Sequence, residues 1–179
     1  MPAFYHRHCK DCPYNSGAHL PKEDRQIRNA PLSMEDNGAA VLLIFQAPGV
    51  EEWRQGRPVI SRKPHSAGSR MAAAFKLAGQ CRKHYNITNT VQCFPGKRAQ
   101  QGNAQPRDNA PSAKARCHCS NWLLEDIQSF NFERIVVFGA AARKTIVGLG
   151  LHNDARFCFV RHPTAGISIE CLAEAIRLR

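Results

Sequence analysis

The sequence predicts an α/β fold: one domain with a central, mainly parallel sheet of four strands flanked by helices, preceded by a segment that carries a metal centre. Three observations predict it. Four short runs of β-forming apolar residues recur along the chain, several closed by Pro or Gly. Segments with apolar residues at helical spacing lie between them. Strands that alternate with helices indicate a parallel sheet, because parallel neighbours need a long crossover connection.

Each element follows from its residues. Residues 1–38 are polar, rich in His, Pro and Asn, and weakly patterned, so they read as an irregular segment organised by a metal rather than by a core. Val41-Leu42-Leu43-Ile44-Phe45, closed by Ala47-Pro48-Gly49, reads as a buried strand ending in a turn. Ser69–Ala78 spaces Met71, Ala74, Phe75 and Ala78 as a helix does, with Gly79 as its terminator. Tyr85–Val91 is a second strand, and Gly96–Ser112 a basic loop with Lys97, Arg98 and Arg107. Trp122–Phe130 is a helix with Leu123, Ile127 and Phe130 on one face. Ile135–Phe138 forms the third strand, Ala140–Val147 a helix, Phe157–Val160 the fourth strand and Ile169–Leu178 the last helix. In such sheets ligands bind beyond the carboxyl ends of the strands. The segments after strands one, two and four are therefore where chemistry is expected.

Composition narrows the function. The chain has 179 residues, of which 43% are apolar, enough for one domain with a real core. No apolar run approaches the ~18 residues of a membrane helix, and Met1–Lys10 has no apolar stretch of a signal peptide. The expectation is a cytoplasmic protein that binds no membrane. Eight cysteines in a reducing compartment point to metal binding or catalysis rather than disulfides. Lys and Arg number 25 against 14 Asp and Glu, a formal charge of +11, which favours a phosphate backbone as partner.

Three strand ends carry unusual residues. They are Gln46-Ala47-Pro48-Gly49-Val50-Glu51-Glu52 running on to Gly56-Arg57-Pro58, then Thr88-Asn89-Thr90-Val91-Gln92-Cys93-Phe94-Pro95, then Arg161-His162-Pro163-Thr164. Together they resemble the iron–sulphur branch of the uracil-DNA glycosylase superfamily. That branch reads Gly-Glu-Ala/Gly-Pro-Gly, Gly-Arg-Pro-Phe-Val-Gly, Thr-Asn-Val-Val-Lys-Cys-Arg-Pro and His-Pro-Ser/Ala. The order and spacing agree from Cys9 to about Ile167.

The resemblance implies a monomeric DNA glycosylase, acting on single- or double-stranded DNA, with a [4Fe–4S] cluster held by Cys9, Cys12, Cys93 and Cys119. The family's last cysteine is followed by Leu four residues on and by a strand-ending Gly twenty residues on. Leu123 and Gly139 stand so from Cys119 and not from Cys117. A zinc ion on the same ligands remains the alternative. Cys81, Cys158 and Cys171 read as buried small hydrophobes, and His6 and His8 as solvated loop residues.

The resemblance also implies roles. Asn89 reads the flipped base through its amide. His162 donates to the charge that develops on the departing base. Glu52 orients the attacking water or stabilises the cationic sugar, with a solvated loop charge as the equal alternative. Gln46, Ala47, Pro48 and Gly49 line the pocket, and Gly49 and Gly68 allow close approach of DNA or base. Ile167 is the candidate wedge that fills the gap in the stack, or the first core residue of the last helix. Arg62, Lys63, Lys97, Arg98, Arg107 and Arg161 are the candidate phosphate contacts.

The sequence leaves the family pattern in places. Gln46 replaces a Glu. Val59 stands where the family has the Phe that stacks on uracil, a contact worth ~1–3 kcal/mol. The loop from Arg62 to Ser66, with His65, is lengthened, as is the stretch between Cys93 and Cys119. A wider, less aromatic pocket suits a base larger than uracil. One alternative to uracil removal in repair is therefore excision of a bulky modified cytosine, such as a glucosylated phage base, in antiviral defence. A second is an iron–sulphur DNA-binding module without catalysis.

Overall fold

The computed structural model describes residues 9–27, 30–98 and 108–178. His6, His8 and Arg107 lie outside the described residues. Strands β1 (Val41–Phe45), β2 (Asn86–Asn89), β3 (Arg134–Phe138) and β4 (Phe157–Val160) form one sheet in the order β2–β1–β3–β4, with every neighbouring pair parallel. The helices among the described residues are α1 (Lys22–Ile27), α2 (Val50–Gln55), α3 (Ala67–Leu77), α4 (Ala113–Ser129), α5 (Ala140–Gly148) and α6 (Ile169–Ile176). The expected α/β architecture is present.

The central strands read as continuous apolar runs because both of their faces are covered. Val41, Leu43 and Phe45 of β1 and Val136 and Phe138 of β3 join Met71, Ala74 and Phe75 of α3 and Leu172, Ala173 and Ile176 of α6 in one core. Leu42, Ile44, Ile135 and Val137 turn the other way, against Leu123 and Ile127 of α4 and Ala142 and Ile146 of α5. Tyr85 ties α6 down, its hydroxyl donating to the Ile176 carbonyl at 2.7 Å. From β1 the chain moves outward to β2, then returns past β1 to β3. The winding thus reverses between β1 and β3, and a crevice opens beyond their carboxyl ends.

Several bounds differ from the sequence reading. Helix α4 begins well before Trp122, because Ser112 caps it by accepting the Ala115 N–H at 3.1 Å. Its buried stripe is Ala115, Cys119, Leu123 and Ile127, and the first two are too small to register as apolar periodicity. Strand β2 is shorter than Tyr85–Val91. The N-terminal segment is not organised by a metal alone. It contains α1, and Leu20 and Leu32 bury with Val50, Trp53 and Phe94 in a small third core.

Candidate active site and cysteine cluster

Beyond β1 and β3 lies a cavity of about 490 Å³, lined among others by Gln46, Ala47, Pro48, Gly49, Glu52, Val59 and His162. The carboxyl ends of β1 and β2 are sewn together to form its floor. Thr90 N–H donates to the Phe45 carbonyl at 2.7 Å, and the Gln46 carbonyl accepts from both the Thr90 hydroxyl (2.8 Å) and Val91 N–H (3.0 Å). The chain then turns at buried Pro48, and Gly49 opens helix α2, whose first turn carries Glu52.

His162 follows β4 and reaches the cavity because Gly139, at the end of β3, leaves room for it. A methyl on Gly139 would lie 3.0 Å from His162 Cβ, and Gly139 has φ +93°, where side chains are strained. The Thr164 backbone N–H donates to His162 Nδ1 at 3.3 Å, and the Thr164 hydroxyl lies 2.9 Å from the same nitrogen. A backbone N–H can only donate, so Nδ1 accepts and the neutral ring carries its proton on Nε2. Burial pushes the imidazole pKa below its usual 6.5, favouring that neutral ring.

Asn89 sits opposite Phe45 in the β1–β2 register and is 1% exposed. Neither atom of its side-chain amide has a hydrogen-bond partner among the described residues. Each such unpaired buried group costs ~1–3 kcal/mol, and a ligand edge with a donor and an acceptor would recover it. Asn89 does not itself line the cavity. It lies on the neighbouring strand beside Phe45, which does.

Glu52 is 7% exposed and accepts the Ser61 N–H on Oε1 at 3.1 Å, so it is no solvated loop charge. Gly49 packs against it, since a methyl there would lie 2.7 Å from Glu52 Oε2. Gly68 serves a different approach from the one expected. Its missing side chain lets α3 press on the Ser61 backbone, with a methyl only 2.5 Å from the Ser61 carbonyl oxygen.

Val59 lines the cavity at φ 52°, a region a β-branched residue rarely enters. Arg82 holds it there. Its guanidinium donates to the Val59 carbonyl at 2.9 Å and to the Pro58 carbonyl, and forks onto both oxygens of Glu35 at 2.8 and 2.7 Å. Glu35 is in turn hydrogen-bonded through its backbone to Ile87 of β2. Burial works against ionisation of Glu35, but the hydrogen bonds from Arg82 and Arg57 hold its carboxyl down at about 2. Sequence reasoning missed this pair. Nothing local marks two charges that meet across 47 residues.

Lys63 and Lys97 line the cavity, Lys63 in an ion pair with Glu51 at 3.3 Å. Arg62, Arg98 and Arg161 are exposed. His65, exposed at φ 60°, does not line the cavity. Ile167 is half-buried against the α3–α6 core, and its carbonyl accepts from Arg70.

Cys9, Cys12, Cys93 and Cys119 are all buried and line one small cavity with Tyr14, Leu20 and Trp53. Cys117 is exposed. Cys81 and Cys171 are exposed too and Cys158 is half-buried, so these three are not the buried hydrophobes expected, lying instead at helix and sheet margins. A hydrogen bond from the Cys119 thiol holds Cys12 below the usual thiol range, with the Tyr14 and Asn15 backbones adding to it. The Gln92 backbone bonds Cys119, which ties the cluster of thiols to the segment that follows Asn89. Four buried thiols facing one cavity fit an iron–sulphur cluster or zinc. Among the described residues no three His, Cys, Asp or Glu side chains close on one point as a single ion requires.

A sequence model of the uracil DNA glycosylase superfamily matches residues 33–170. The chain is 28% identical over 102 residues to the type-4 uracil-DNA glycosylase of Thermotoga maritima, a match covering 57% of this chain and 46% of that protein. It is 24% identical over 143 residues to the type-4 uracil-DNA glycosylase of Pyrobaculum aerophilum, covering 80% of this chain and 61% of that one. The chain thus spans between about half and three-fifths of the length of these curated relatives. No helix among the described residues is long and apolar enough to cross a membrane.

Proposed function

The chain belongs to the uracil DNA glycosylase superfamily, and from that premise we propose that it hydrolyses the N-glycosidic bond of a base flipped out of DNA, leaving an abasic site. One observation carries the reading: His162, whose Nδ1 accepts the Thr164 N–H and so leaves Nε2 to donate, stands in a cavity at the switch point of a parallel sheet. A donor so placed stabilises negative charge on the departing base.

The proposed roles are these. The base enters past Pro48 and Val59 and lies against Phe45; the Asn89 amide, buried on the neighbouring strand and without a partner among the described residues, is the candidate to read its edge. As the C1′–N bond lengthens, the electron pair moves onto the base and His162 Nε2–H donates to it. Glu52 holds the water that attacks C1′. Lys63 and Lys97 at the cavity, with Arg62, Arg98 and Arg161, meet the phosphates. Cys9, Cys12, Cys93 and Cys119 would hold a [4Fe–4S] cluster, a reading supported by four buried thiols that line one small cavity. Its contribution would be structural, fixing the segment that links Asn89 to Cys93.

Uracil is the first substrate to expect, as the curated relatives are uracil-DNA glycosylases. A second reading, a bulkier base such as a modified cytosine, is favoured by one feature. Val59, Ser61, Lys63 and Glu51 border both the cavity and an adjoining groove of about 620 Å³, so the wall where an aromatic ring would stack is low and shared. Incubation with single- and double-stranded oligonucleotides carrying uracil or modified cytosines, followed by mass analysis of the freed base, tests both. Release of uracil supports the first reading, and release of the modified base alone the second. Salt-sensitive binding with no release from any substrate would replace both with a binding module.

A further inference from the structure

The glycosylase reading above assigns one carboxylate, Glu52, to the water. The cavity holds two more, Glu51, which is paired with Lys63, and Asp108. Asp108 lines it from the long segment after Cys93. It is fixed in place by backbone pairing: Asp108 bridges Lys97 as an antiparallel partner, Asn109 N–H donates to the Gly96 carbonyl at 2.8 Å, and the Asn109 amide donates to the Lys97 carbonyl at 3.1 Å.

Gly49 brings the two acids together. A methyl on Gly49 would lie 2.7 Å from Glu52 Oε2 and 3.0 Å from Asp108 Oδ2, so these oxygens are within about 6 Å of one another. Glu52 Oε1 is committed to the Ser61 N–H, which turns Oε2 toward the shared space. A water molecule donates two hydrogen bonds of ~2.8 Å and so bridges acceptors ~4–5 Å apart, a separation that this bound allows.

We propose that Asp108 is a second acid of the reaction, and that the attacking water is held between Glu52 Oε2 and Asp108 Oδ2. The inference rests on the glycosylase reading. In the step, the water oxygen forms a bond to C1′ while the C1′–N bond breaks. The bond pair leaves with the base toward His162, and the water's proton passes to one carboxylate of the pair. Electrostatics suit that sharing. Enclosure pushes the Asp108 carboxyl up, Lys97 pulls against it, Glu52 pushes further and Lys63 opposes both. A carboxylate pushed up in this way takes a proton more readily than an ordinary one.

The test compares wild type, Asp108→Asn and Glu52→Gln in single-turnover base release, with DNA affinity and thermal melting measured on each. Asp108→Asn is expected to slow release about 10- to 100-fold while leaving melting unchanged and DNA binding equal or tighter, since it removes a negative charge beside the phosphates. The double variant is expected to lose little beyond Glu52→Gln alone, because both acids act on one water. Release by Asp108→Asn at the wild-type rate overturns the second acid and leaves the glycosylase reading standing. So does parallel loss of rate, binding and melting, which marks a structural role. If wild type frees no base from any oligonucleotide, the glycosylase reading falls and the second acid with it.

Discussion

Gly139 and His162 are packed so closely that a single methyl on the glycine would lie 3.0 Å from the histidine Cβ and 3.4 Å from its Cδ2. Backbone and side chain both depend on this contact, because Gly139 also sits at φ +93°. Gly139→Ala is therefore expected to displace the imidazole. Base release should fall by ~10²-fold or more, approaching the loss of a whole donor. The strained backbone should cost ~1–3 kcal/mol in stability. Single-turnover assay with chemical denaturation checks both. An alanine variant with wild-type activity would mean the histidine does not need its seat.

The tautomer of His162 sets a pH dependence. Nδ1 accepts from Thr164, and burial lowers the pKa below 6.5, so the donor form is the neutral ring. Activity limited by His162 should be level across neutral pH and fall only as pH drops below 6.5 and the ring charges. A rate that climbs over the same interval would show that the charged ring is the active form. Stability carries the same sign. A folded state that resists protonation loses stability as pH falls from the unfolded value toward the folded one.

The cysteines separate cleanly by burial. Cys119 is 4% exposed and in hydrogen-bond contact with Cys12, while Cys117, two residues earlier, is exposed. Purified protein is expected to show broad visible absorption and bound iron. Cys119→Ser should lose both along with thermal stability, and Cys117→Ser should keep them. Removal of the metal by chelation should loosen the Gln92–Cys93 segment and slow base release, since that segment joins the thiols to Asn89. A colourless protein with stoichiometric zinc would replace the cluster.

The sheet was legible because its strands obey a simple physical rule. β1 and β3 are buried on both faces, so each is an unbroken apolar run, and each ends in Pro or Gly where the chain must turn. Of the candidate residues read at strand ends, Gln46 and His162 line the cavity, while Asn89 lies on the strand beside it. Helix α4's first half was not legible, since Ala115 and Cys119 bury little area. Asp108 was not, because an acid in a long polar loop looks like any solvated charge until Lys97 is found paired with its backbone. Contacts that span the chain leave no local pattern, and Glu35 with Arg82 is the clearest of these.

That pair makes the last prediction. Glu35 is anchored to β2, and Arg82 reaches from it to the Pro58 and Val59 carbonyls, holding Val59 at φ 52° on the cavity wall. Glu35→Gln removes the charge but keeps the shape. Hydrogen bonds to charged groups contribute ~1.5–3 kcal/mol, so the variant should be less stable by about that much at neutral pH. The folded Glu35 carboxyl lies at about 2 against an ordinary 4.5. Its stabilisation is therefore complete above 4.5 and lost as pH falls toward 2. The gap between wild type and Glu35→Gln, read from denaturant melts, should close over that interval. Because the cavity wall relaxes with it, the variant should also bind DNA normally yet release base more slowly. A gap that stays constant down to pH 3 would mean that the ion pair does not hold the loop.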